Sequence, residues 1–329
     1  MKWRNEIILL CYGTRPEWIK IKPLIKAFEG KIPYRVLFTG QHADISGGWF
    51  HDKLKITEGT NRLDSIFSSV MNNMDFNGMS AVLVQGDTAT CLAVGLSAFN
   101  HKVPVIHLEA GLRTYDLEHP YPEEGYRQML SRITDIHLCP TKIAKTHLLR
   151  DSVGGEIHVV GNTVLDNLVD VKSSYGDEVL VTIHRRENHH IIDDWMRELD
   201  SLDENVTVIR HPNPVVMTAV DKLNNVNVID PLSHDKMVER IANCKFLITD
   251  SGGLQEEGSF FNKKIIICRE TTERPEVLEH HGVLCEKPEN LSNLVDMITK
   301  DVTINKPCPF GDGKSAEKIL GILNEKFSG

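Results

Sequence analysis

The sequence contains no CxxC pair, no apolar run approaching the roughly 20 residues of a membrane span, and no tract in which basic residues gather. Each absence removes a class of protein. The seven cysteines are scattered singly, and Cys11, Cys139, Cys244 and Cys268 fall in or beside apolar runs, so reduced core thiols in a cytoplasmic protein are expected rather than disulfides or a zinc site. A net charge of -9 is the wrong sign for a nucleic-acid surface, so an anionic ligand must be met by a few local groups. The opening stretch "MKWRNEIILLCYG" has too short an apolar run and no small-residue cleavage site for a secretory signal; it predicts a first strand.

Missing too are the P-loop, the GxGxxG fingerprint and the GxSxG elbow, which argues against ATP, NAD and nucleophilic acyl transfer. The pairs His189-His190 and His280-His281 have no further ligand at helical spacing. No metal is expected from them, and solvated or capping roles are.

What is present is a rhythm. Short runs such as "EIILLCYG", "YRVLFTG", "AVLVQGD", "VPVIHLEA", "DIHLCPT" and "IHVVGN", then "EVLVTIHRR", "NVTVIRHP", "NVNVIDP", "KFLITDSGG" and "KIIICRE", alternate with amphipathic segments of helix length. Runs apolar on both faces and separated by helices predict parallel sheets covered on both sides, hence an α/β fold of doubly wound, Rossmann-like domains. A chain of 329 residues has room for two such cores. The rhythm pauses in "GNTVLDNLVDVKSSYGDE", which suggests domains at 1–162 and 163–310, with "SAEKILGILNEKF" in 311–329 as a terminal helix.

Ligands of open parallel sheets bind beyond the carboxyl ends of the strands, and this chain puts its charges there. "GTRPEWIK" follows the first strand: Gly13, Pro16 and Glu17 suit a turn, an early helical position and a helix dipole, whereas Arg15 and Lys20 have no such local reason. Later strands end in "QGDT" (Asp87), "HLEAGLR" (Glu109, Arg113), "TIHRRE" (His184), "RHPNP" (His211) and "TDSGGLQEE". One ionisable group after a strand is ordinary capping. Such groups at nearly every strand end predict a shared cleft between the domains. In "TDSGGLQEE", Ser251 could cap a helix starting near Gly253, Gly252 and Gly253 let backbone N–H groups approach a phosphate, and Glu257 could accept from a ribose diol.

The segments "GTRPEWIKIKPL", "TGQH", "QGDTATCLA", "HLEAGLRTYD", "PEEGYR", "GNTVLD", "TIHRREN", "RHPNP", "TDSGGLQEE" and "RETTERPE", in this order over nearly the whole chain, resemble the UDP-N-acetylglucosamine 2-epimerase family. The resemblance implies the GT-B fold, with two Rossmann-like domains facing a central cleft and the last helix crossing back to the first domain. It implies interconversion of UDP-GlcNAc and UDP-ManNAc through elimination of UDP to a 2-acetamidoglucal and re-addition, with no metal or other cofactor, in a homodimer that makes precursors of surface polysaccharides. Asp87, Glu109 and Glu123 match the acid/base positions, and Lys20, Arg127 and His184 other catalytic cleft positions. Arg15, His42, Arg113, His211, Ser251, Gly252, Gly253, Glu257 and Arg274 match positions that hold UDP or the sugar.

The chain also departs from the family pattern. "ADISGG" follows "GQH", and "HDKLKITEGTNRLDS" is short and lacks the usual Pro-Gly-Gln, in segments that bind a second, activating UDP-GlcNAc in non-hydrolysing bacterial members. The resemblance therefore does not carry substrate activation over to this chain. Tyr126 replaces the usual Asn beside Arg127, and Met237 replaces an aromatic near the uracil. Hydrolytic release of ManNAc and UDP, a modified UDP-2-acetamido sugar as substrate, and a non-catalytic nucleotide-sugar sensor all use most of the same motifs. A GT-B glycosyltransferase would not need the three carboxylates.

Overall fold

The structure is a computed structural model that describes residues 7–42, 45 and 48–327. Ala43, Asp44, Ser46 and Gly47 of the divergent "ADISGG" segment, and the first six residues of the expected opening strand, lie outside the described residues. The chain forms two compact units: the described residues up to Asn167 with those from Gly313 onward, and Leu168–Asp312.

The first unit holds seven parallel strands, β1 (Ile7–Tyr12), β2 (Tyr34–Phe38), β3 (Asp52–Lys53), β4 (Met79–Gln85), β5 (Val105–Leu108), β6 (Ile136–Cys139) and β7 (Glu156–Val159), in the order β3-β2-β1-β4-β5-β6-β7. Helices α1 (Arg15–Phe28), α2 (Arg62–Asn73), α3 (Ala89–Asn100), α4 (Glu123–Ser131) and α5 (Lys142–Arg150) connect them. The all-apolar sequence of β1 reflects two covered faces. Ile8, Leu10 and Tyr12 pack with Trp18, Ile21, Leu24 and Phe28 of α1, while Leu9 and Cys11 pack with Ile66 and Val70 of α2 and Ala93 and Val94 of α3.

The second unit repeats the plan with β8 (Glu178–Thr182), β9 (Asn205–Ile209), β10 (Asn227–Ile229), β11 (Phe246–Thr249), β12 (Ile265–Ile267) and β13 (Gly282–Leu284), ordered β10-β9-β8-β11-β12-β13 and all parallel. Its helices are α6 (Ile192–Asp200), α7 (Pro214–Val220), α8 (His234–Asn243), α9 (Gly252–Phe260) and α10 (Leu291–Thr299). Val179 and Val181 pack with Trp195 and Leu199 of α6, Val216 of α7 and Val295 of α10. On the other face the backbone of α9 lies so close to the sheet that a methyl at Gly258 would press on Leu247 and Ile265.

Strand order reverses between β1 and β4 in the first unit and between β8 and β11 in the second. At such a reversal the two connecting helices leave on opposite sides of the sheet, which opens a crevice at the carboxyl ends of that strand pair.

The last helix, α11 (Ser315–Phe327), belongs to the first unit. Its Ala316, Ile319, Leu320 and Leu323 are buried in the α1 layer, and Asp166 accepts from the backbone N–H groups of Ser315 (3.1 Å) and Ala316 (2.7 Å). Among the described residues no helix is long and apolar enough to cross a membrane. The seven cysteines are unpaired, Cys308 half-buried and the others buried. His281 departs from the solvated or capping role expected of it. It is buried beside β12 and β13, where Ile265 N–H donates to its carbonyl at 2.8 Å, and burial holds its ring down to about 4.

Candidate active site

The switch point of the first unit is framed by a buried carboxylate. Thr14 and Glu17 form a capping box at the start of α1: Glu17 Oε2 accepts from Gly13 N–H (2.8 Å) and Thr14 N–H (2.7 Å). Its other oxygen, Oε1, accepts from Thr88 Oγ1 at 2.6 Å, and Thr88 is itself the N-cap of α3. Glu17 thus joins the loops after β1 and β4, beyond the helix-dipole role that its position in sequence suggests. It is 1% exposed, and burial raises its carboxyl despite these donors. Gly13 is required here, since a side chain would run into Thr39 and Thr90.

Asp87 follows β4 between two such supports. Ahead of it, the His107 ring of β5 contacts the Gly86 carbonyl through Nε2 at 2.7 Å; a carbonyl only accepts, so Nε2 carries the proton. His107 is fully buried, and burial pushes its ring down to about 3. Behind it, Thr88 is held by Glu17. The Asp87 carboxylate itself takes two donors from Arg127 on Oδ2, Nε at 3.0 Å and Nη2. Oδ1 makes no hydrogen bond among the described residues.

Glu109 begins the loop after β5 in the left-handed region (φ 67°), which is strained for a residue with a side chain. Its Oε2 receives Lys20 Nζ and Gln85 Nε2. The Lys20 turn of α1 is pinned in turn: Thr163 Oγ1 donates to the Lys20 carbonyl (2.6 Å) and Asn167 Nδ2 to the Ile19 carbonyl (3.0 Å). The "GNTVLD" motif therefore aims a lysine.

The charges of "HLEAGLRTYDLEHPYPEEGYR" divide by task. Glu124, fully buried, accepts from Thr114 N–H (3.0 Å), Tyr115 N–H (3.1 Å) and Arg127 Nη1 (2.9 Å), so it ties the loop to α4. Arg113 points the other way, into the protein: Nε meets Asp151 (2.9 Å), Nη2 meets Ser131 Oγ (2.9 Å) and Nη1 the Leu112 carbonyl (2.8 Å). The structure does not bring Arg113 together with Asp87 and Glu109. Glu123 is half-buried in the first turn of α4, and Tyr126 packs edge-on against Phe67 of α2. Arg15 is exposed at the start of α1, and its backbone N–H donates to His42 Nδ1 at 3.4 Å; burial lowers the His42 ring.

In the second unit the organising group is Asp250, the first charge of "TDSGGLQEE", fully buried after β11. Its Oδ2 accepts from His184 N–H (2.8 Å), Arg185 N–H (2.8 Å) and Asn188 Nδ2 (3.0 Å), which fixes the loop after β8. Oδ1 lies 3.6 Å from His184 Nδ1. The His184 and His211 rings stack at 4.6 Å and 9°. Burial lowers His184 although Asp250 opposes it, and burial lowers His211 as well.

Helix α9 starts at Gly252, one residue earlier than expected, with Ser251 in the cap position. The Ser251 side chain makes no cap hydrogen bond, so the first N–H groups of α9 are not satisfied by it. Arg274 packs against this end: it pairs with Glu256 through Nε (2.5 Å) and Glu273 through Nη1 (2.7 Å), and a methyl on Gly252 would overlap its guanidinium. A methyl on Gly253 would meet nothing. Burial works against ionisation of Glu273, yet Arg274, Arg269 and Arg185 hold its carboxyl well below the usual range. Glu257 is buried one turn on, and Met237 is half-buried on α8. No group of three or more His, Cys, Asp or Glu among the described residues is placed to hold a metal ion.

Two parallel, doubly wound units with ionisable groups and a glycine-led helix at their switch points define a GT-B-like α/β enzyme. The family model for UDP-N-acetylglucosamine 2-epimerase matches residues 26–324. A UDP-N-acetylglucosamine 2-epimerase of Salmonella borreze is 34% identical over 95% of this chain and 97% of its own length. The crystal structure of the Neisseria meningitidis UDP-GlcNAc 2-epimerase bound to UDP-GlcNAc superposes with a TM-score of 0.87 at 28% identity, covering 97% of this chain and all of that one. That of the Methanocaldococcus jannaschii enzyme, in complex with UDP-GlcNAc and UDP, gives 0.83 at 28% identity, covering 97% and 99%. The chain belongs to the UDP-N-acetylglucosamine 2-epimerase family and is an isomerase.

Proposed function

We propose that the protein interconverts UDP-GlcNAc and UDP-ManNAc without net hydrolysis, to supply precursors of surface polysaccharides. Membership of the family and the ligands of the Neisseria and Methanocaldococcus structures support the substrate. The observation that carries the chemistry is the pair of cation-held carboxylates at neighbouring strand ends, Asp87 with Arg127 and Glu109 with Lys20.

The C2 proton of the sugar is not acidic, so its loss has to be coupled to departure of the anomeric substituent. One carboxylate of the set Asp87, Glu109 and Glu123 takes the C2 proton; the C1–O bond breaks, its electron pair leaves with UDP, and a C1–C2 double bond forms. Re-addition closes the cycle: a β-phosphate oxygen attacks C1 and a carboxylic acid returns a proton to the opposite face of C2. Lys20 and Arg127 orient the carboxylates, with Arg15 and His42 as further donors in the first unit. In the second unit, the N–H groups of Gly252 and Gly253 with Ser251 take the diphosphate, which leaves as an anion and gains from the positive end of α9. His184, stacked on His211 and backed by Asp250, donates to it, while Glu257 takes the ribose and Arg274 braces the helix end.

A proton NMR time course with UDP-GlcNAc in D2O tests the proposal. The expected result is deuterium at C2 with UDP-ManNAc rising to a constant ratio. Free ManNAc with an equal amount of UDP would replace the reading by a hydrolysing epimerase, and no exchange would withdraw it. A homodimer is proposed with this activity, and a single-chain mass in light scattering would remove that part.

A further inference from the structure

Glu257, in the second turn of α9, is 5% exposed, and its two oxygens are treated differently. Oε1 contacts His234 Nε2, on the first residue of α8, at 2.9 Å. A carboxylate only accepts, so this ring nitrogen is the donor. Oε2 is buried and has no hydrogen-bond partner. A buried acceptor without a donor is unfavourable and uncommon in folded proteins, and marks a position that a ligand hydroxyl can complete. The 1.5 Å rise per residue puts Glu257 about 7.5 Å along the axis from Gly252, one phosphate-to-ribose step from the N–H groups at the helix start.

We propose that His234 is the positioning residue of a ribose-diol site: its Nε2–H holds Oε1 of Glu257 and so presents Oε2 to a hydroxyl of a bound nucleoside diphosphate. The proposal rests on the nucleotide reading above and deepens it. It assigns discrimination between ribose and deoxyribose to a residue that does not touch the nucleotide. Ser233 caps α8 with its side chain, and the other neighbour of the His234 ring is the exposed carboxylate of Asp235 at 4.0 Å, so Glu257 is the one buried group that the ring orients among the described residues.

Calorimetric binding of UDP, 2′-deoxy-UDP and 3′-deoxy-UDP to the wild type, His234→Phe and His234→Gln tests this. The wild type is expected to prefer UDP over at least one deoxy form by about tenfold or more, the scale of a hydrogen bond to a charged group. His234→Phe keeps the ring volume and removes the donor; it should weaken UDP by about tenfold and leave that deoxy form nearly unchanged, so the preference collapses. His234→Gln, whose amide can still donate to Oε1, should restore most of it. In turnover His234→Phe should raise KM with kcat close to wild type. Full preference retained in His234→Phe would overturn the role of His234 and leave the ribose reading standing. Equal affinity of the wild type for all three nucleotides would remove Glu257 from the ribose and the proposal with it.

Discussion

Thr88 Oγ1 donates to Glu17 Oε1 at 2.6 Å, and this single bond joins the two loops that flank the switch point of the first unit. Thr88 adjoins Asp87, so Glu17 acts on Asp87 through the loop and not by a hydrogen bond of its own. Glu17→Ala would leave the N–H groups of Gly13 and Thr14 without their acceptor, which typically costs about 1–3 kcal/mol per buried group. We expect lower stability in urea together with a fall in kcat of tenfold or more, on the order of 1.4 kcal/mol. Unchanged kcat in a folded variant would show that Asp87 is held without Glu17.

Asp87→Asn and Glu109→Gln should each lower kcat by about a hundredfold or more, corresponding to about 2.7 kcal/mol of transition-state stabilisation. Both side chains keep their shape, so UDP affinity should change little. Initial rates and C2 deuteration measure this together, and near wild-type turnover in either variant would remove that residue from the mechanism.

Gly252 and Gly253 should separate packing from ligand approach. Gly252→Ala drives a methyl into the Arg274 guanidinium and should disturb the Glu256–Arg274–Glu273 group, lowering thermal stability and UDP affinity together. Gly253→Ala meets no protein atom and gains helix propensity, so stability should hold or rise. A loss of UDP affinity at unchanged stability in Gly253→Ala would then report the diphosphate against that backbone, and intact affinity would move the diphosphate elsewhere.

His107 and His137, both fully buried, have rings held down by burial to about 3 and about 4, from an ordinary value of 6.5. The native state therefore binds fewer protons than the unfolded chain in this window, and the contribution is present above pH 6.5 and lost as pH falls towards the folded values. Each ring should remove about 1.4 kcal/mol per pH unit there. Glu17 and Asp166, raised by burial, act in the opposite sense, losing stability as pH rises, so the histidine effect is read from a difference. The stability gap between wild type and His107→Gln should narrow as pH drops from 7.5 to 4.5. A constant gap would mean that the fold does not resist protonation of His107.

Eleven apolar runs of the sequence became the eleven strands β1, β2 and β4 to β12: a strand buried on both faces is written as a local composition, and the edge strands β7 and β10 keep apolar runs although they are only partly buried. Strands β3 and β13 escaped that reading. β3 is the two-residue Asp52–Lys53 and β13 the half-buried Gly282–Leu284, both at sheet edges where no continuous apolar run is needed. Strand ends also announced Asp87, Glu109, His184 and the glycines of α9. What stayed hidden was pairing over distance: Glu17 with Thr88, Gln85 with Glu109, Asp250 with the His184 loop, His234 with Glu257. Periodicity describes neighbours along the chain. In "PEEGYR" nothing local distinguishes Glu124, the buried anchor, from Glu123 beside it.

The α1 layer of the first unit is completed by Ala316, Ile319, Leu320 and Leu323, which follow the whole of the second unit in sequence. During synthesis on the ribosome, residues 168–312 emerge before those four, so the second unit can fold while the α1 layer of the first still lacks the side chains that complete it. Assembly therefore finishes where it began, and the order of translation leaves the surface of α1 as the one a chaperone would meet.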